Sequence, residues 1–144
     1  MSGGDPTTMK RPAEVIAVAV VLFAAAAIAT VVSFSLFVPG TALDWMWNLN
    51  SAAHEAFAAQ AGRTATILLL AGVLAAAAGA GLLRGHLWAW LLSIVLFCVN
   101  ALGDVVSLLI TRDWPKSLAG ILIDALLLFL LLRAKVRAFF LSRA

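Results

Sequence analysis

The chain has 144 residues, of which 64% are hydrophobic and 12% are charged, and its net charge is +3. A soluble globular domain is typically about half apolar and about a quarter charged, so this composition excludes an ordinary soluble fold and predicts membrane helices. The basic residues are scattered at the ends of apolar segments and form no basic face, so we expect the lipid bilayer as a partner and no nucleic acid. The single cysteine, Cys98, excludes an internal disulfide.

The chain begins with a polar segment, residues 1–12, which we expect to be flexible and cytoplasmic. An apolar stretch follows from Ala13 to Val38 and ends at Pro39-Gly40. The apolar region of a signal peptide has only about 7–15 residues, whereas a helix needs about 20 to cross the hydrocarbon core. This stretch therefore predicts a first membrane helix over about 13–38.

Residues 39–62 form a longer connection, which we place outside the membrane. Between residues 48 and 60 its apolar side chains recur at helical spacing, after Trp45 and Trp47. These apolar side chains are Leu49, Ala53, Ala56 and Phe57. The pattern predicts a short amphipathic helix lying on the outer membrane surface.

Three more apolar stretches are long enough to span the membrane, at about 63–83, 87–110 and 114–133. The links at 84–86 and 111–113 are so short that neighbouring helices must be antiparallel. Asp113 before Trp114-Pro115 is typical of a helix start, and we expect the basic tail after Arg133 to continue the last helix. The predicted fold is an all-α, antiparallel bundle of four transmembrane helices forming a single integral membrane domain.

The charge distribution predicts the orientation, because cytoplasmic loops carry the excess of Lys and Arg. One side of the predicted bundle collects Lys10, Arg11, Arg84, Arg133, Lys135, Arg137 and Arg143; the other collects Arg63, Arg112 and Lys116. We therefore expect both termini in the cytoplasm of a bacterial cell, with the bundle in its cytoplasmic membrane.

Polar side chains interrupt the third and fourth apolar stretches. Asp104 lies ten residues before Trp114 and Asp124 lies ten residues after it. If the turn is centred near Trp114, the two carboxyl groups lie at a similar depth, roughly 12–15 Å below the outer surface. Two polar stripes at helical spacing contain them, and the cost of burying charge in lipid predicts that both stripes face inward. The stripes are Ser93, Asn100, Asp104, Ser107 and Thr111, and then Ser117, Gly120 and Asp124.

These residues predict a polar pocket in the outer half of the bundle. Its candidate residues are Asn100, Asp104, Ser107, Asp124 and Arg63. Two close carboxylates in a low dielectric repel each other, so a proton or a bound cation is expected to neutralise one of them. Three roles are open for the pocket: hydrogen bonds that only join helices, a binding site, or contact with another protein.

Motifs of established enzymes are absent from the sequence. His54-Glu55 starts like a zinc-protease motif, but Ala58 stands where the second His is required. We expect no cofactor and no metal, and we interpret the chain as a non-enzymatic accessory or binding protein whose partner is another membrane protein or a second copy of itself. Two alternatives stay open: a proton- or cation-coupled transport element using Asp104 and Asp124, and a membrane enzyme acting on a lipid or quinone.

Two segments in the second half carry a resemblance. G-L-L-R-G-H-L-W-A-W at residues 81–90 and R-A-K-V-R-A-F-F at residues 133–140 resemble segments of small, uncharacterised bacterial integral membrane proteins with four helices. The resemblance implies a four-helix membrane fold. It implies no activity and no site residue.

Overall fold

In the computed structural model, which describes residues 10–49, 51–112 and 114–142, all regular structure is helical. The elements in chain order are α1 (Ala13–Phe37), a 3₁₀ helix (Ala42–Leu49), α2 (Ser51–Ala58), α3 (Ala61–Arg84), α4 (Leu87–Thr111), α5 (Trp114–Leu132) and α6 (Ala134–Leu141).

Four of these helices, α1, α3, α4 and α5, are long and apolar enough to cross a membrane. The shortest is α5 with 19 residues and the longest are α1 and α4 with 25 each, so they extend over roughly 28–38 Å at 1.5 Å per residue. The hydrocarbon core of a bilayer is about 30 Å thick. The prediction of an all-helical chain with four long apolar helices is confirmed.

The turn from α3 to α4 is a hydrogen-bonded helix end with Gly85 in the left-handed region at φ 78°. The His86 N–H donates to the carbonyl of Gly81 and the Gly85 N–H donates to the carbonyl of Leu82, both at 3.0 Å. This pair of bonds is the Schellman motif, which satisfies carbonyls that a helix end otherwise leaves unpaired. The motif makes the predicted tight turn possible.

The turn from α4 to α5 uses the same backbone region without a glycine. Arg112 has φ 54° and ψ 24°, and its N–H donates to the carbonyl of Leu108 at 3.1 Å. A side chain in this region meets a steric penalty that glycine avoids. The predicted capping role of Asp113 lies outside the described residues.

We expect opposite effects from exchanging the two turn residues. Gly85→Ala forces a Cβ into the left-handed region and lowers the free energy of unfolding by about 1 kcal/mol, while Arg112→Gly relieves that strain and raises it by up to about 1 kcal/mol. Titration with SDS in mixed micelles, followed by tryptophan fluorescence, measures both changes. Shifts of the same sign in both variants would contradict the interpretation.

The described helices divide into two compact units. The first, here called the terminal unit, contains the described residues up to Val21 and those from Ala78 onward, and the second, the central unit, is Leu22–Ala77. Both α1 and α3 contribute to both units.

The terminal unit has a core built by one end of each long helix and by α6. Its fully buried side chains are Val15, Val18, Ala19, Ala78, Leu82, Ala89, Ser93, Leu131, Val136, Phe139 and Phe140. At its edge Arg133 donates to Glu14 at 2.9 Å, which ties the end of α5 to the start of α1. Because the burial of apolar surface drives packing, the three buried side chains of α6 (Val136, Phe139 and Phe140) make this helix part of the core.

The prediction that the basic tail continues the last helix is wrong. Arg133 adopts φ −56° and ψ 139°, which ends α5 and starts α6 as a separate helix. The carbonyl of Leu131, left without a partner in its own helix by the break, accepts a hydrogen bond from the Trp90 indole at 3.0 Å. The Phe140 ring stacks on the ring of Trp90, with centroids 6.2 Å apart. The break is therefore stabilised by tertiary contacts.

The central unit has its own small core. Leu36, Trp47 and Ala65 are buried together, and the Ser33 hydroxyl donates to the carbonyl of Ala65 at 2.9 Å, joining α1 to α3. The His54 ring stacks on Trp47 with centroids 4.8 Å apart. The helix predicted between residues 48 and 60 is observed as α2, preceded by the 3₁₀ helix, and its position on a membrane surface stays a prediction. The side chains of Ala53, Ala56 and Phe57 lie outside the description.

Candidate binding site on the α4–α5 hairpin

Contacts between α4 and α5 pair residues in reverse order along the chain. Trp90 bonds to Leu131 and Asn100 bonds to Asp124, while Asp104 lies against Gly120. Each step forward on α4 is thus a step backward on α5, which is the pattern of a helical hairpin. The register of this hairpin determines which polar groups meet.

Asp124 is the most deeply placed carboxyl group among the site candidates, with 4% of the residue exposed. Its Oδ2 accepts a hydrogen bond of 2.8 Å from the Asn100 side-chain amide. A buried carboxyl group without a donor is costly, so this bond explains how Asp124 is accommodated in an otherwise apolar helix. The two helices are joined by it at this level.

Asp104 is accommodated differently, by the absence of a side chain at Gly120. A Cβ built on Gly120 would collide with the Asp104 carboxyl group. Gly120 therefore provides the space into which Asp104 packs, and Asp104 is half-buried there. Asp104 and Asp124 therefore lie on adjacent turns of the hairpin.

The hairpin is centred on Arg112, not on Trp114. The left-handed cap at Arg112 ends α4, and the register therefore places Asn100 opposite Asp124 and Gly120 opposite Asp104. The two carboxyl groups are consequently offset by four residues, about one helical turn or 6 Å along the axis. The sequence predicted the proximity of Asp104 and Asp124 but placed them opposite each other.

The prediction of two inward stripes holds for α5 and fails in part for α4. Ser117 and Asp124 are buried, but Asn100 and Ser107 are exposed. One row of α4 at helical spacing is buried or half-buried, namely Ser93, Phe97, Ala101, Asp104 and Leu108, and Asp104 in this row lies against Gly120 of α5. Asn100 and Ser107 lie beside this row, at the edge of the contact, so the polar site opens to the outside of the hairpin. The Thr111 side chain lies outside the description.

Arg63 is described with the central unit, where it is exposed at the start of α3, and its predicted place in the site stays a prediction. Neighbouring hydroxyl groups make hydrogen bonds within that unit: Thr30 to the carbonyl of Ala26, and Thr66 to the carbonyl of Gly62, both at 2.8 Å. The candidate site is thus Asn100, Asp104, Ser107 and Asp124, with Gly120 added.

The role of Gly120 was missed at the level of sequence. The sequence does place Gly120 in the polar stripe, four residues before Asp124. Whether Gly120 makes room for a carboxyl group of α4 depends on the register of the hairpin. Glycine opposite a carboxyl group makes room for it only when the two residues are at the same level of the hairpin. That level is set by the turn geometry at Arg112.

A second feature is an apolar groove between α1 and α3 in the central unit. It has a volume of about 420 Å³ and is lined by Ala26, Ala27, Thr30, Val31, Gly72, Val73 and Ala76. A Cβ built on Gly72 would come within 3.3 Å of the carbonyl of Ala26, so the helices approach closely here. Its lining carries no ionisable side chain, which separates it in chemistry from the α4–α5 site.

The chemistry available at the α4–α5 site is that of hydrogen bonding by an amide and two carboxyl groups. Across the described parts of the chain, no three His, Cys, Asp or Glu side chains are grouped as metal ligands. Comparisons with protein-family models, with curated proteins and with solved structures found no match to this chain. The fold and site are therefore interpreted from their own geometry.

Proposed function

We propose that this chain is a polytopic membrane protein of the bacterial cytoplasmic membrane that acts as a non-enzymatic binding or accessory protein. Its four long apolar helices cross the bilayer as an antiparallel bundle with both termini in the cytoplasm. The observation that carries the binding role is the Asn100–Asp124 hydrogen bond, in which a buried carboxyl group meets an amide that is exposed at the helix surface.

The position of this amide favours binding over a purely internal role. Polar side chains that only join helices are expected to be enclosed between them, because lipid offers no hydrogen bonds. Asn100 instead lies at the edge of the hairpin, where a bound group can reach it. A partner that supplies hydrogen bonds at this depth would gain affinity from a site that lipid cannot satisfy.

The orientation can be tested with single cysteines in a Cys98→Ala background. Asn48→Cys and Ala138→Cys replace exposed residues before α2 and in α6. We expect a membrane-impermeant maleimide to label position 48 in intact cells and position 138 only after the cells are opened. Labelling of position 138 in intact cells would overturn the orientation.

The binding role can be tested with a photo-crosslinking amino acid at position 107, on the polar edge of α4, and at position 105 as the matched control. Val105 is exposed on α4 at nearly the same depth but about 200° around the helix. We expect irradiation of native membranes to yield a discrete protein adduct from position 107 and lipid adducts from position 105. Lipid adducts from both positions would contradict a binding role for the polar edge.

A second candidate function is a proton- or cation-coupled transport element, which the position of Asp104 one turn along the hairpin from Asp124 favours. Carboxyl groups within membrane helices commonly mark ion or proton pathways. Flux measured in liposomes should then fall in Asp104→Asn and Asp124→Asn. Equal flux in empty liposomes, native protein and both variants would exclude this function.

A further inference from the structure

The Asn100 amide has hydrogen-bonding capacity that the hairpin does not use. A carboxamide offers two N–H donors and a carbonyl acceptor. Among the described residues, Asn100 gives one N–H to Asp124, and the residue is exposed. Within a membrane no water is available to hydrogen-bond to the second N–H and the carbonyl oxygen of this amide. We therefore expect these groups to bond to a polar side chain on a neighbouring helix.

Gly103 lies on the same side of α4, three residues after Asn100. A Cβ built on Gly103 would meet nothing within 4 Å, so the backbone is open toward the outside at this point. Small residues allow transmembrane helices to approach closely. Val99 and Val106 flank it and are both more than half exposed. These four residues, Val99, Asn100, Gly103 and Val106, are called the α4 contact surface below.

We infer that the α4 contact surface binds the same surface of a second copy of the chain, an inference that rests on the proposed membrane insertion and binding role. Two copies inserted in the same orientation are related by a two-fold axis along the membrane normal, so equivalent residues meet at the same depth. An amide is self-complementary, because the N–H of each copy can donate to the carbonyl oxygen of the other.

Gly103, one turn from Asn100, is placed to meet its equivalent in the second copy across the same two-fold axis. When two parallel helices cross at a glycine pair, their backbones approach closely enough for short side chains beside the crossing to hydrogen-bond. Asn100 lies one turn away from that crossing. The second copy thereby covers the exposed edge of the Asn100–Asp124 pair, and the dimer encloses a site that a single hairpin leaves open.

Disulfide crosslinking tests this geometry in a Cys98→Ala background. Gly103→Cys places a thiol at the expected crossing, where the two Cα atoms would lie within the range of about 4.4–6.8 Å that a disulfide requires. Val105→Cys is the matched control, since it is exposed on α4 at nearly the same depth but about 200° around the helix. We expect oxidation in membranes to give a covalent dimer from position 103 and little from position 105.

The native Cys98 provides an internal check. It is exposed and lies about 160° around the helix from Asn100, so the native protein should stay uncrosslinked under the same oxidation. Crosslinking at positions 98 and 105 as efficient as at position 103 would indicate random collision and would overturn the inference.

Association measured by energy transfer between labelled chains in liposomes tests the contribution of each residue. Gly103→Leu adds bulk where the monomer has open space, and we expect it to weaken the dimer about tenfold or more. Asn100→Leu should weaken it about threefold to tenfold. Ala125→Leu, which enlarges an exposed residue of α5, is the control and should leave association unchanged. Equal association in Gly103→Leu and Ala125→Leu would overturn the inference.

The outcomes separate this inference from the proposed function. A position-107 adduct of twice the chain mass, together with the position-103 disulfide, supports both. An adduct with a different protein and no position-103 disulfide leaves the binding role intact and overturns the second copy as its occupant. Lipid adducts alone, with no disulfide, contradict both.

Discussion

Replacing Asn100 with Leu is expected to lower the free energy of unfolding by about 2–3 kcal/mol, mainly because it leaves the buried carboxyl group of Asp124 without its donor. Hydrogen bonds between transmembrane helices average only about 0.6 kcal/mol, so the lost bond accounts for a minor share. The larger share is the cost of an unsatisfied buried polar group. Asp124 is only 4% exposed, and in the proposed membrane location no water would replace the lost donor.

A double-mutant cycle separates these two shares. Asn100→Leu with Asp124→Leu removes both partners, and we expect this variant to be more stable than Asn100→Leu alone by about 1–2 kcal/mol. Cys98→Leu is the matched control, since it replaces an exposed residue of the same helix, and surface changes of this kind usually stay within about 0.5 kcal/mol.

The measurement is unfolding by SDS in mixed micelles at a protein concentration low enough to keep the chain monomeric. Under that condition the loss of a dimer contact does not enter the result. If Asn100→Leu and Cys98→Leu unfold at the same SDS fraction, the Asn100–Asp124 bond makes no contribution to stability. That result would contradict the interpretation that this bond is the central contact of the site.

The long helices are the part of the fold that sequence predicts well. The length of an apolar stretch is a local property, and the membrane sets the length that it must have. The first helix was predicted over about 13–38 and observed as Ala13–Phe37, and the third was predicted over about 87–110 and observed as Leu87–Thr111. The extent of α6 was not predicted, because no Gly or Pro marks the break at Arg133.

That break depends on contacts distant in sequence. Val136, Phe139 and Phe140 are fully buried in α6, and the Trp90 indole donates to the carbonyl of Leu131 beside the break. Neither the burial nor the hydrogen bond is visible in residues 133–141 themselves. The hydrophobic pattern of this tail is therefore compatible with a continued α5 and with a separate α6, and tertiary packing determines that the separate α6 forms.

The candidate site was partly predictable for a similar reason. Polar residues stand out in apolar stretches, so Asn100, Asp104 and Asp124 could be found without a structure. Their pairing could not be predicted, because it depends on which residue is at the centre of the turn. Moving that centre by two residues, from Trp114 to Arg112, changes the residue opposite Asp104 by four, from Asp124 to Gly120. The left-handed conformation of Arg112 sets that centre. Arg63 was grouped with them because a long side chain at the outer end of the second predicted helix could reach the carboxyl groups, and this grouping stays a prediction.

Gly120→Ala is expected to lower the free energy of unfolding by about 2 kcal/mol. Its Cβ would occupy the space of the Asp104 carboxyl group, and overpacking of this kind typically costs about 1–3 kcal/mol. In a helix interior the same substitution would otherwise be stabilising by up to about 1 kcal/mol. The sign of the change therefore reports whether Asp104 packs against Gly120.

Two further variants make this test specific. Gly62→Ala changes a helical glycine whose added Cβ would meet nothing within 4 Å, and it should be neutral or stabilising in the same SDS titration. Asp104→Ala in the Gly120→Ala background removes the colliding group and should recover most of the lost stability. That recovery requires the two residues to be in contact. Additive effects of Gly120→Ala and Asp104→Ala would therefore show that the α4–α5 register differs from the one described. The alignment of Asn100 with Asp124, which depends on the same register, would then also be wrong.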